Sequence, residues 1–329
     1  MSEAGYAGRR ALVTGGLGFI GSNLAIRLVE LGADVSVADS LVPDLGGNRF
    51  NIAPVEDRIR ISETDVRDPD AAAQLVRGQD VVFCIAGNVS HVDSLSDPFA
   101  DLELNYRAQL SVLEALRKHN QEARVVYAGS RQQYGRPRYL PVDEAHPLEP
   151  VDVNGINKSA AEAATLLYHR IHGLPTCSLR LTNTYGPRMQ MRHPRQGFVP
   201  WFVRLALDGE TIELYGGGES LRDFNEVADV VDAFLLCGLA DAAVGEVFNL
   251  GYPEPVTVRQ FAETLLEVVG GGSLSERPFP TDRAKIDVGS IYADFGRIRE
   301  RMGWEPRVGL REGLTRMVDY YRRHRSRYW

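Results

Sequence analysis

The stretch "RALVTGGLGFIGSNLA" constrains the fold more than any other part of the chain. A short apolar run ends at Thr14, and Gly15, Gly18 and Gly21 follow as GxxGxxG before an apolar pattern of helical period. Strand, glycine turn and helix in that order suit a dinucleotide. Gly15 permits the tight turn, Gly18 lets the backbone approach a pyrophosphate, and Gly21 lets the helix pack closely with its N-terminus facing the anion. Phe19 and Ile20 lie inside this loop and are assigned to it. Asp39 closes the next apolar run, "VSVAD". An acid there suits the adenosine ribose hydroxyls and repels a 2'-phosphate, and no arginine follows it, so the expected cofactor is NAD. Asp65 and Val66, after a third run, are placed beside the adenine.

Short β-branched runs alternate with helical patterns through the first half: "DVSVAD", "RIRISETDV", "DVVFCIAG", "ARVVYAGS" and "PTCSLRL" are separated by amphipathic segments. Apolar strands alternating with helices predict an α/β fold, a doubly wound, Rossmann-like parallel sheet covered on both faces. After about Tyr185 glycine and proline become frequent and strands shorten. We therefore expect an NAD-binding domain over 1–184 and a smaller C-terminal α+β lobe over 185–329 that binds substrate, with part of it returning to the sheet. The net charge of −7 disfavours nucleic acid as a partner. The C-terminal "RRHRSRYW" reads as the solvated end of a last helix. Cys84, Cys177 and Cys237 sit singly in apolar runs, as in a reducing compartment, and suggest neither disulfides nor metal ligands. No apolar run reaches membrane length and no signal segment precedes the first strand, so a cytoplasmic location is expected.

Further along, "AGNVSHVDSLSDP", "ELNYRAQLSVLEA", "GSRQQYG", "INK", "RLTNTYGPR", "GGGESLRDFNEVADVVDAF" and "MGWEPRVGLREGL" follow one another. Together with the glycine loop they resemble the extended short-chain dehydrogenase/reductase family, and more narrowly its nucleotide-sugar epimerase/dehydratase branch, over nearly the whole chain. The resemblance implies bound NAD, a nucleotide-diphosphate sugar substrate and hydride transfer from a sugar carbon, usually C4. It places Ser130 on the sugar hydroxyl and Lys158 on the nicotinamide ribose. It also places Ala86 on the cofactor, and Ser90, Asn183, Phe198, Val199 and Arg222 on the substrate. It further implies a homodimer through the helices that begin near Asp97 and Gly155.

The pattern breaks at one position. Relatives carry a tyrosine four residues before the lysine, and here "DVNGINK" carries Asn154. A carboxamide does not titrate near neutral pH, so Asn154 is limited to hydrogen bonding the sugar. The acid pair that a dehydratase needs after the serine is Arg131 and Gln132. Three readings remain open. Another group moves the proton: His91, Tyr134, or one of Asp143, Glu144 and His146. Alternatively, Ser130, Lys158 and water support slower or different chemistry, including dehydrogenation or decarboxylation. In the third reading the chain binds NAD and a ligand without turnover. Arg188, Arg192, His193 and Arg195 form a basic loop, either solvated or facing an anionic sugar such as a uronate.

Overall fold

The structure, a computed structural model, describes residues 3–329. Seven strands form the central sheet: β1 (Arg10–Thr14), β2 (Asp34–Ala38), β3 (Arg60–Ser62), β4 (Val81–Cys84), β5 (Arg124–Ser130), β6 (Thr176–Leu181) and, from the second half of the chain, Val247–Leu250. Their spatial order is Val247–Leu250, β6, β5, β4, β1, β2, β3, and every neighbouring pair is parallel. The chain builds outward from β1 to β3, then returns to the far side of β1 with β4. A crevice opens at the carboxyl ends of the strands where that order reverses, which is where open α/β sheets bind ligands.

Both faces of the sheet are buried, which is why its strands read as unbroken apolar runs. In β4, Val81 and Phe83 enter one core while Val82 and Cys84 enter the other. The first core is covered by α1 (Phe19–Glu30) and the helix Val227–Leu239, through Leu24, Leu28, Val231 and Phe234. The second is covered by α2 (Pro69–Val76) and by α5 (Ala108–His119) and α6 (Val153–His172), the last two lying beyond the short helices α3 (His91–Ser96) and α4 (Pro98–Leu102). The three cysteines are free and buried.

The sequence reading starts α6 near Gly155, but the helix begins two residues earlier. The Asp152 carboxylate accepts the Gly155 N–H at 2.7 Å and caps the first turn. Asn154 is therefore wound into that turn. Beneath the sheet end, Arg180 and Glu162 form a buried ion pair at 2.6 Å. Arg180 also donates to the Tyr134 hydroxyl at 2.8 Å, which in turn donates to Asn249 at 2.6 Å.

Helices Phe198–Asp208, Val258–Val269 and Leu310–His324 enclose a third core with Tyr185, Phe224, Phe261 and Leu314. The C-terminal basic run is more than a solvated helix end. Arg325 pairs with Asp208, and the buried Tyr328 donates to Asn51 at 2.5 Å, so aromatic burial anchors the terminus. No described helix is long and apolar enough to cross a membrane, and no three described His, Cys, Asp or Glu side chains gather to hold a metal ion.

Candidate active site

The crevice is lined by Gly15, Gly18, Phe19, Ile20 and Gly21, by Asp39, Asp65 and Val66, and by Ala86. All nine residues assigned to the cofactor from these segments therefore share one cleft. Gly15 has φ +67°, and a Cβ there would lie 2.9 Å from the Ala86 backbone. A Cβ on Gly21 would lie 2.2 Å from the Gly15 carbonyl oxygen, so the helix packs on the loop itself. Gly18 caps α1 without a side-chain hydrogen bond, leaving the helix N-terminus to an anion.

Asp39 does more than wait for a ribose. Its carboxylate accepts the Leu17 N–H at 3.1 Å and the Leu41 N–H at 2.9 Å, tying the glycine loop to the end of β2. Burial pushes its carboxyl up, and these two donors pull it back. Asp65 is held by a forked pair with Arg67 at 2.5–3.0 Å, which holds its carboxyl below the usual range. A dinucleotide fits this cleft: an open helix N-terminus at its middle and a carboxylate at the ribose end.

Lys158 lies one turn into α6, buried beneath the cleft. Its ammonium donates to the Ala128 carbonyl at 3.3 Å and lies 5.4 Å from the Tyr127 ring centroid. A Cβ on Gly87 would come within 3.0 Å of the ammonium, so the lysine approaches the cleft wall closely. Burial pulls Lys158 down to about 8, against the opposing charge of Asp101. Ser130 ends β5. Its hydroxyl accepts the Gln132 N–H at 3.2 Å and stays partly exposed.

Asn154 is held inside the protein. It is fully buried, and its amide donates to the Asn88 carbonyl and to the Asp101 carboxylate, both at 2.8 Å. Asn157 donates to the other Asp101 oxygen at 2.8 Å. Asp101 is the anion around which these amides gather. Nothing local in the sequence marks Asp101, because its partners lie 53 and 56 residues away.

His91 opens α3 and is partly exposed, with side-chain exposure of 36%. Its Nδ1 meets the buried Asp152 carboxylate and its Nε2 meets the Gln132 amide. Burial pushes the Asp152 carboxyl up, but the His91 hydrogen bond and charge, with the Gly155 N–H and Arg131, outweigh it and leave it below the usual range. Turning the Gln132 amide would bring its unpartnered Oε1 onto His91 Nε2, so this contact accepts the imidazole in either protonation state. The other candidate proton carriers have partners within the framework. Tyr134 is buried between Arg180 and Asn249, and His146 is buried between the Arg138 N–H and the Pro147 carbonyl. Glu144 accepts the Asn249 N–H at 2.7 Å, and Asp143 accepts from Tyr139 at 2.7 Å and Ala145 at 3.0 Å.

On the lobe side, Asn183 accepts from Arg131 at 3.2 Å and donates to the Asp223 carbonyl at 2.9 Å. Arg222 is buried and donates to the Leu221 carbonyl at 2.8 Å and the Gly289 carbonyl at 2.5 Å. Burial and the neighbouring Arg131 charge pull it down to about 10. Three residues assigned to the substrate also have roles in the framework. Ser90 is fully buried and caps α3 through the Asp93 N–H at 3.1 Å. Phe198 packs against Phe202, Phe224 and Phe261 at centroid distances of 5.2–6.1 Å, and Val199 is buried in the same core. In the basic loop Arg188 donates to Asn51 and Asn23, while Arg195 pairs with Asp44 and Asp93.

Residues 11–251 match the model of the NAD dependent epimerase/dehydratase family. The UDP-glucose 4-epimerase of Mycolicibacterium smegmatis is 32% identical over 314 residues, 95% of this chain and 98% of that protein. The structure is similar to UDP-glucose 4-epimerase of Thermotoga maritima solved with UDP-glucose, at TM-score 0.88 and 31% identity over 96% of this chain and 99% of the other. It is also similar to dTDP-glucose 4,6-dehydratase of Streptomyces venezuelae solved with NAD and TYD, at TM-score 0.86 and 31% identity over 96% and 98% of the two chains. The chain belongs to the NAD-dependent epimerase/dehydratase family, whose nucleotide-sugar enzymes its sheet, cleft and cofactor loop match.

Proposed function

We propose that the chain is an NAD-dependent nucleotide-sugar epimerase-type enzyme that uses the His91–Asp152 pair as its acid/base. The observation that carries this reading is the geometry of His91: one ring nitrogen fixed by a buried carboxylate, the other beside the Ser130 turn. A carboxylate on Nδ1 selects the tautomer whose Nε2 lone pair is basic, and it stabilises the imidazolium that forms. Bound NAD supplies a reversible hydride acceptor for a sugar carbon, C4 in this reading.

Ser130 orients the sugar hydroxyl, and its proton passes from oxygen to His91 Nε2 while Asp152 stays ionised. Gln132 yields the position it now holds on that nitrogen. Lys158 holds the nicotinamide ribose, and Asn183 with Arg222 holds the diphosphate, where a guanidinium fork suits two oxygens. The exposed Phe99, Ile156, Leu167 and Ile171 on α4 and α6 support pairing of two copies through these helices.

The test is to incubate the purified protein with UDP-, dTDP-, GDP- and CDP-sugars and to follow products by NMR. We expect at least one sugar to be altered without net consumption of added NAD. Absence of product across the panel, with nucleotide sugars tightly bound, would reduce the chain to a ligand-binding member of its family.

A further inference from the structure

Three segments from different parts of the chain line the cofactor cleft. They are the loop after β2, through Leu45 and Gly47; the stretch between β4 and α3, through Val89; and residues 189–200 at the edge of the lobe, through Gln190 and Gln196. The third segment is fastened to the other two. His193 Nε2–H donates to the Asp44 carbonyl at 3.0 Å, and the Gln196 amide donates to the same oxygen at 3.3 Å. The Arg195 guanidinium pairs with the Asp44 carboxylate at 3.4 Å and with Asp93, in the first turn of α3, at 3.7 Å. A segment tied to both of the others spans the cleft that all three line.

This segment has fixed ends and a middle that can move. Arg188 secures one end, donating to the Asn51 carbonyl at 2.9 Å and to the Asn23 side chain at 2.8 Å. Arg204 then holds the Met191 and Arg192 carbonyls at 3.0 and 2.9 Å. At the other end Phe198 packs into the lobe core. Just before it Gly197 has φ +103°, and a Cβ there would meet no atom within 4 Å, so the chain can turn at this point without collision. On the β2 loop Asp44 has φ +64°, a left-handed conformation uncommon outside glycine, asparagine and aspartate. The ties themselves are exposed ion pairs and single hydrogen bonds. Each is weak by itself, which suits a closure that opens and shuts.

We propose that residues 193–197 form a clasp over the cofactor cleft, which must open before NAD enters or leaves. The glycine loop says where the dinucleotide lies, and the clasp sets how fast it exchanges. Neither Arg195 nor His193 lines the cleft, so both act on the clasp and not on the bound cofactor. A gate that opens more often speeds entry and exit alike and leaves the binding equilibrium unchanged.

The experiment is stopped-flow fluorescence with NADH. Release is followed by chasing bound NADH with excess NAD, and binding by mixing NADH with protein stripped of cofactor. Arg195→Ala/His193→Ala is expected to quicken both steps about tenfold, with Kd within about twofold of the native value. Arg195→Lys, which keeps the charge, should release NADH at nearly the native rate. Native rates of binding and release in the double variant would overturn the clasp. Faster release with unchanged binding and a matching loss of affinity would also overturn it, because these residues would then hold the bound dinucleotide. Asp44→Asn removes one ion pair, keeps the carbonyl and tolerates the left-handed backbone. It should quicken both steps about two- to fivefold, and it decides the question if the double variant does not fold.

Discussion

His91→Ala is expected to lower turnover by ~100- to 10,000-fold, the usual cost of losing a positioned acid/base. NAD affinity should be unchanged, because His91 does not line the cofactor cleft. His91→Gln is a useful companion. It keeps hydrogen bonding toward Asp152 but cannot exchange a proton, so it should be nearly as slow as the alanine variant while folding normally. The readout is the rate of sugar conversion. Turnover within a few-fold of the native rate in His91→Gln would remove His91 from the chemistry.

The second large effect concerns stability. Asp101 is almost fully buried and accepts amide hydrogens from Asn154 and Asn157 at 2.8 Å and from Asn88 at 3.4 Å. Its charge also favours the protonated form of buried Lys158. Asp101→Ala removes an acceptor from three buried amides, of which Asn154 keeps the Asn88 carbonyl, and removes the charge that favours protonated Lys158. At ~1–3 kcal/mol for each of the three buried donors that loses an acceptor, the expected loss is about 3–9 kcal/mol, measured by denaturant unfolding. The double variant Asp101→Ala/Asn154→Ala should cost less than the sum of its parts, because the two side chains share one network. An additive result would mean that Asn154 earns its place in some other way.

These two predictions separate what was legible in the sequence from what was not. The cofactor loop was legible because Gly15, Gly18 and Gly21 act through backbone conformation and close approach within one strand–turn–helix unit. The sheet was legible because strands buried on both faces must be apolar along their whole length. The break at Asn154 was also visible, since spacing along one helix is a local property. Its meaning was not visible. Asn154 is one arm of a buried network centred on Asp101, 53 residues away, and the His91–Asp152 pair spans 61 residues. Sequence reading places such residues in their elements but not against each other.

Some local signals went unread. Asp152 is a good helix-capping residue, and reading it as one would have started α6 at Val153 and put Asn154 inside the first turn. Ser90 had a similar signal, an N-cap position before Asp93, yet was assigned to the substrate. Phe198 and Val199 were assigned by motif resemblance, where their apolar side chains face the core of the lobe. Gly87 was overlooked, although a glycine just past the end of β4 marks a close approach, here to Lys158 and Asn105.

The central claim is that a histidine held by Asp152 replaces the missing tyrosine. A crystal structure of His91→Gln with NAD and a turned-over nucleotide sugar tests it most directly. The account predicts the residue-91 side chain on the sugar hydroxyl at the carbon that changes, within ~2.6–3.2 Å or through one water, with Gln132 swung away. A sugar hydroxyl bonded instead to another titratable side chain, with residue 91 remote from it, would contradict the account.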